Sequence, residues 1–150
     1  MTNRMQPDLE QGLLAGFESR NFMRHLGVEI TVLEQGVCDM ALDHRDSLMQ
    51  HGGRFDSAVL GALADMAAGT AGQTLMPAGE RCRTAEYKLN LLAAAEGARL
   101  EAEARIVKAG RTLKVAETNV YCINESERKH VAMALVTLVA DGTPRQEKDV

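Results

Sequence analysis

Tryptophan is absent, and only two tyrosines and three phenylalanines occur in 150 residues. A core built on ring packing is excluded, so Ala, Gly, Leu and Met must fill the interior. Small side chains let a helix lie close to a sheet, because the contact residues set the spacing of packed elements. Cysteine is scarce too. Cys38, Cys82 and Cys122 are odd in number and far apart. That excludes a closed disulfide framework, gives no Cys/His spacing for zinc, and favours reduced, buried thiols. No two histidines stand at helix or strand spacing, so no histidine metal site is expected. Positive charge is not in excess. A net charge of −4 disfavours a general nucleic-acid binder. No apolar run reaches the ~18 residues of a membrane span. The first residues, MTNRMQPDLEQGLL, lack the apolar block of a signal peptide. The expectation is a cytoplasmic protein with no membrane or nucleic-acid partner.

What is present fits one domain spanning residues 1–150. Apolar residues make up 45% and charged residues 25% of the chain, as in ordinary globular proteins. A chain of this length buries roughly 68–70% of its unfolded surface, so it needs no disulfide or metal to hold a core. Pro7 and Asp8 open a helix expected over residues 8–24, with Leu9, Leu13, Leu14 and Phe17 at helical spacing. Val28, Ile30 and Val32 alternate with polar residues. Gln35-Gly36 signals a hairpin, and residues 37–42 return antiparallel. A polar loop follows over residues 44–55, with two adjacent glycines. Asp56 or Ser57 then caps a long helix reaching about Gln73.

Four more strands are legible, at 82–92, 99–107, 113–123 and 131–140. In the first, Tyr87, Leu89 and Leu91 alternate with Glu86, Lys88 and Asn90. The last is apolar on both faces, as suits a central strand. Hairpin turns are expected to join all four. Gly110, in the turn KAGRT, is expected at positive φ. The order helix, β, β, long helix, β, β, β, β predicts an α+β domain: one antiparallel sheet of about six strands, one long helix lying on it, and an extra N-terminal helix. One helix covers little of such a sheet. Exposed edges and an open face argue for a homodimer or homotetramer.

The long helix, FDSAVLGALADMAAGTAG, poses a chemical question. It is small and apolar all round, as a buried helix is. Yet Asp65 stands in its middle. An acid in such a place caps or pairs with a polar seam, or it acts chemically. Buried acids mark functional sites only probabilistically.

The element order, the helix stretch LGALADMAAG, the strand EYKLNLL and the later KAGRTL resemble hotdog-fold acyl-CoA thioesterases. The similarity covers roughly residues 22–140. It is greatest to the phenylacetic-acid-degradation type, related to one group of 4-hydroxybenzoyl-CoA thioesterases. The resemblance implies a hotdog fold and hydrolysis of an acyl-CoA without a metal or prosthetic group. It makes Asp65 the base or nucleophile. In that family a His-Gly-Gly precedes the acid, with the His nine positions before it. Here those places hold Asp56, Ser57 and Ala58. The visible His51-Gly52-Gly53 lies five residues earlier.

Thioester hydrolysis needs a base or nucleophile and a donor for the developing oxyanion. The outward-pointing N–H groups of Ser57 or Ala58 at the helix start offer the donor, whatever the side chain. Ser57 and Asp65 are eight residues apart, about 12 Å along one helix. A single chain cannot bring both to one carbonyl. Two antiparallel helices across a twofold axis can. The resemblance further implies that Gln50 or His51 orients the thioester or water, and that Thr84 holds the water. It also places Lys108, Arg111 and Lys114 near the coenzyme A phosphates, which cations suit. Each has a plainer reading: loop, strand alternation or hairpin surface. Asp56 reads first as an N-cap and second as another acid. Medium-chain and aryl acyl groups both fit the small-residue helix. Two alternatives stand beside the enzyme. One is a non-catalytic hotdog protein that binds acyl thioesters or a protein partner, favoured by Asp-Ser-Ala in place of His-Gly-Gly. The other is a hotdog dehydratase, disfavoured because the helix has no histidine.

Overall fold

The computed structural model describes Met5 and residues 7–141. Helix α1 (Pro7–Glu18) and the short α2 (Asn21–Leu26) stand where one helix is expected over 8–24. The break lies at Ser19-Arg20. Ser19 Oγ donates to Gly16 O (2.9 Å), and the Arg20 amide takes a tight-turn bond to Phe17 O. Arg20 is extended, with ψ 107°. Side-chain competition for helix carbonyls is a known way for serine to end a helix. Gly27 at φ 73° closes α2.

Strands β1 (Glu29–Glu34) and β2 (Val37–Asp43) form the expected hairpin, with Gly36 at φ 73°. Next come a 3-10 turn (Asp46–Leu48) and a miniature hairpin of β3 (Met49–Gln50) and β4 (Arg54–Phe55). The long helix α3 spans Ser57–Gln73. It precedes β5 (Arg81–Leu91), β6 (Arg99–Ala109), β7 (Leu113–Ile123) and β8 (Arg128–Asp141). The sheet order is β1-β2-β6-β7-β8-β5, antiparallel throughout. This is the expected α+β arrangement, with β8 inside the sheet. One connection differs. β5 pairs with β8 and not with β6, so residues 92–98 cross the sheet where a hairpin is expected.

Helix α3 lies close on the sheet because both surfaces are small. Ala64, Ala67, Ala68 and Ala71 on the helix are fully buried, as are Ala102, Ala104, Ala116, Ala132 and Ala134 on the strands. Buried threonines fix its height. Thr118 Oγ1 donates to Ala64 O (3.3 Å). Thr74 Oγ1 donates to Ala71 O (2.6 Å) and accepts from the Gly36 amide (2.7 Å), tying the β1–β2 turn to the helix end. Cys38 and Cys122 are buried and Cys82 half-buried, and all three are free. Burial pushes the Cys38 thiol up to about 12, so it stays a neutral core residue.

The crossing loop positions the start of α3. The Phe55 amide donates to Ala95 O (3.0 Å), and the Asp56 amide donates to Leu48 O (3.0 Å). The loop ends where the Ala98 amide donates to Ile123 O (2.8 Å). Gly97 makes this approach possible. A Cβ there would lie 2.5 Å from Ile123 O and 2.7 Å from Cys122 Sγ. Gly110 needs no positive φ, contrary to expectation. It is required because a Cβ would lie 2.5 Å from Leu113 O. Gly97→Ala is expected to destabilise the protein by about 1–3 kcal/mol through overpacking against backbone. Urea unfolding should show a lower midpoint with an unchanged slope.

Candidate functional site

The site is built from Asp65 outward. In α3, Leu63, Ala64, Met66, Ala67 and Ala68 are buried, whereas Asp65 is only half-buried. The helix is therefore not sealed on every side. Its open seam faces the start of β5 and the N-terminal helix. There Thr84 Oγ1 donates to Asp65 Oδ1 at 2.7 Å. The second oxygen, Oδ2, has no protein partner among the described residues.

A β-bulge makes this contact. Thr84 pairs with Leu138 and Glu86 with Thr137, so Ala85 is the extra residue. Leu138, Val136, Ala134 and Ala132 form the fully buried helix-side row of β8. Thr84, Tyr87, Leu89 and Leu91 oppose that row, and Glu86, Lys88 and Asn90 lie on the other face. Strict alternation would have put Thr84 with Glu86, away from the helix. One extra residue re-aims it, as bulges near active sites do.

Asp65 and Thr84 open onto a groove of about 890 Å³ between α1, α3 and β5. Leu13, Phe17 and Met66 supply apolar lining, with Gly12, Gly69 and Gln73 further along. None of these lining residues is singled out by sequence alone. A signal was available: Asp65, Gly69 and Gln73 recur every four residues, so they share one helix face.

The start of α3 forms a separate surface. Asp56 is its N-cap, with Oδ1 accepting from the Ala58 amide at 2.9 Å. The Ala58 N–H is therefore engaged within the chain, against its expected role as an oxyanion donor. The Ser57 N–H has no partner among the described residues. Ser57 and Ala58 are exposed, as are Gln50 and His51 at the nearby β3–β4 hairpin. Within one chain the structure brings together Asp65 and Thr84, and separately Asp56, Ser57 and the Gln50–His51 hairpin. It does not bring these two groups together.

The three proposed phosphate cations do not share a surface either. Lys108 and Arg111 are exposed at the β6–β7 turn. Lys114 is 5% exposed and belongs to the inward row of β7 with Ala116, Thr118 and Val120. Its Nζ donates weakly to Gly110 O (3.4 Å). It lies close enough to favour the Cys82 thiolate, although burial dominates and pushes that thiol up. Counting back by twos from Val120 would have placed Lys114 inside. Among the described residues no cluster of three or more His, Cys, Asp or Glu could hold a metal. No helix among them is long and apolar enough to cross a membrane.

Residues 51–128 match the thioesterase superfamily. No curated protein matches the sequence. A thioesterase family protein of Silicibacter pomeroyi has a similar structure, with a TM-score of 0.86 at 31% identity, covering 88% of this chain and 97% of that one. A thioesterase of Haemophilus influenzae is similar at TM-score 0.82 and 21% identity, covering 98% of this chain and 99% of that one. The PaaI protein of the Escherichia coli phenylacetic acid degradation operon gives 0.79 at 18% identity, covering 91% and 95%. The last two are evidence of fold alone. With a match over more than half its length and a relative at 31% identity, the chain belongs to the thioesterase superfamily, and its fold is the hotdog.

Proposed function

We propose that the protein hydrolyses an acyl-CoA thioester to a free acid and CoA, as a homodimer with two shared sites. The observation that carries this reading is Asp65, a carboxylate with one oxygen held by Thr84 and the other turned to a groove. Acting as base, Oδ2 takes a proton from water while the water oxygen adds to the thioester carbon. Acting as nucleophile, it adds to that carbon itself and, once the thiolate has left, water hydrolyses the resulting acyl-aspartyl anhydride to the free acid and restores the carboxylate. In either case the carbonyl oxygen becomes an oxyanion, the C–S bond then breaks, and the leaving sulfur takes a proton.

The oxyanion needs a preorganised donor. The Ser57 N–H is free at the start of α3, where the helix dipole also favours negative charge. It is about 12 Å along the helix from its own Asp65. A second copy with α3 antiparallel supplies it. The surface supports such pairing. Among the described residues β5 pairs with β8 alone and no strand lies along its other edge, where Tyr87 and Leu91 are about half exposed. Long unpaired edges pair with other chains. Gln50 and His51 would enter from the partner with the helix start. Lys108 and Arg111 remain exposed cations for the nucleotide phosphates, and Lys114 is left to the core.

Asp56 gives the non-catalytic reading a specific basis. Its carboxylate sits on an amide beside the oxyanion donor, and a like charge there opposes an oxyanion. Turnover decides between the two.

Thiol release from short, medium, long and aryl acyl-CoAs is the direct test. Wild type should turn over at least one class, and Asp65→Asn should lose about 10²–10⁴-fold in kcat. Absence of thiol release from every substrate, with a melting temperature raised by acyl-CoA, would replace catalysis with binding. Ser57→Pro isolates the donor. Proline is favoured at the first helical position, and the preceding Asp56 already has the extended φ −63°, ψ 140° that proline requires. This variant should melt like wild type yet lose about 10²–10³-fold in kcat. A fully active Ser57→Pro enzyme excludes that amide. Asp56→Ala should lose about 1 kcal/mol of stability as a missing cap, while Asp56→Asn keeps it. Equal denaturation midpoints for the two would show that Asp56 is not a cap.

A further inference from the structure

The groove beside Asp65 is wider than the fold requires. Gly69 on α3 and Gly12 on α1 line it. A Cβ at either position would meet nothing within 4 Å among the described residues beyond its own helix. The other α3 glycines differ. A Cβ at Gly61 would lie 3.2 Å from Tyr87 Oη, and one at Gly72 would crowd Leu138 and approach Cys82 Sγ to 3.0 Å. Glycine inside a helix is less favourable than alanine. Close packing accounts for Gly61 and Gly72. Among the described residues of one chain it accounts for nothing at Gly69.

That space has a direction. Asp65, Gly69 and Gln73 follow one another by single turns on one helix face. Leu13, Phe17 and Met66 give the groove apolar walls. Its far end is closed at Gln73, whose Nε2 donates to Glu80 O (2.8 Å) and whose Oε1 accepts from the Cys82 amide (2.9 Å). This pair of bonds joins α3 to the start of β5. The run from Asp65 to Gln73 is about 12 Å. An extended chain advances ~1.1–1.2 Å per bond, so about ten carbons fill it. The groove volume is in the range of small-molecule sites.

The geometry points to an acyl channel for medium-chain thioesters, running from Asp65 to Gln73, with Gly69 setting its width about five carbons from the carbonyl. This rests on the hydrolytic reading above and names its substrate class. It also gives the two ends of the substrate opposite exits. The acyl chain runs toward the C-terminal end of α3, so the CoA moiety leaves toward the partner.

The test is a series of saturated straight-chain acyl-CoAs from two to sixteen carbons, run on wild type, Gly69→Ala and Gly69→Leu. A parallel series of non-hydrolysable acyl-CoA thioethers measures binding. Wild-type kcat/KM should climb to about ten carbons and then level or fall. In Gly69→Leu the ratio of ten-carbon to four-carbon kcat/KM should drop at least tenfold. Gly69→Ala should narrow the profile less and raise the melting temperature by about 2–4 °C, since it removes a helix-weakening residue without a clash. An unchanged ratio in Gly69→Leu, with thioesters still hydrolysed, overturns the channel and leaves the hydrolytic reading intact. A lower melting temperature in Gly69→Ala overturns the claim that the glycine is free of packing duty. If wild type hydrolyses nothing, the thioethers decide. Affinity that rises with chain length and is lost in Gly69→Leu supports the channel, and length-independent affinity overturns it.

Discussion

A carboxylate on an apolar helix must find both a donor and an opening, and this constraint organises the site. Asp65 has its donor in Thr84 and its opening in the groove against α1. Neither arises from α3 alone. The donor exists because β5 carries one extra residue at Ala85. The opening exists because α1 stands off from α3 and β5 at that level. Beside the carboxylate, the bond from Thr118 to Ala64 O holds the helix against the sheet.

The same helix keeps its acid and its free amide apart. A helix start exposes N–H groups that accept anions, and a mid-helix acid lies too far away to share them. Here Asp56 takes one of these amides for itself. That leaves a single free donor at Ser57 where two are conceivable. On the proposed hydrolytic reading, Asp-Ser-Ala in place of His-Gly-Gly narrows the choice of oxyanion donor to the Ser57 amide. On that reading the donor reaches Asp65 from a second copy of the chain. Among the described residues no strand covers the edge of β5 away from β8, and Thr84 on β5 is bonded to Asp65.

The fold was largely legible because its signals are periodic. Strand alternation, the Gln35-Gly36 turn and the uniformly small α3 each point to one element. Failures occurred where a single local interaction overrides the period. Ser19 bonds back to Gly16 and splits the first helix. The bulge at Ala85 reverses the face of Thr84. The 92–98 segment crosses the sheet, because strand order depends on contacts distant in sequence. Within the candidate site, Asp65 stands out in the sequence by its incongruity, and only the resemblance gives it a role. The engagement of the Ala58 amide was not legible, since an N-cap is a choice between neighbouring side chains. The resemblance puts Lys114 near the coenzyme A phosphates, while its place in the β7 alternation puts it among buried residues.

Three glycines on α3 show how a chain poor in aromatics uses empty volume. Gly61 makes room for a tyrosine and Gly72 for a leucine and a cysteine, so both serve the fold's own packing. A Cβ at Gly69 would meet nothing among the described residues beyond its own helix. With alanines forming most of the helix–sheet contact, one more alanine at this position would be the ordinary solution and the more stable one. A packed core tolerates few voids, so an unfilled position beside a carboxylate is better explained by what must enter than by what holds the fold. The stability of this helix and the width of its groove are thus opposed at a single residue. The groove can be varied there without touching the Asp65–Thr84 pair.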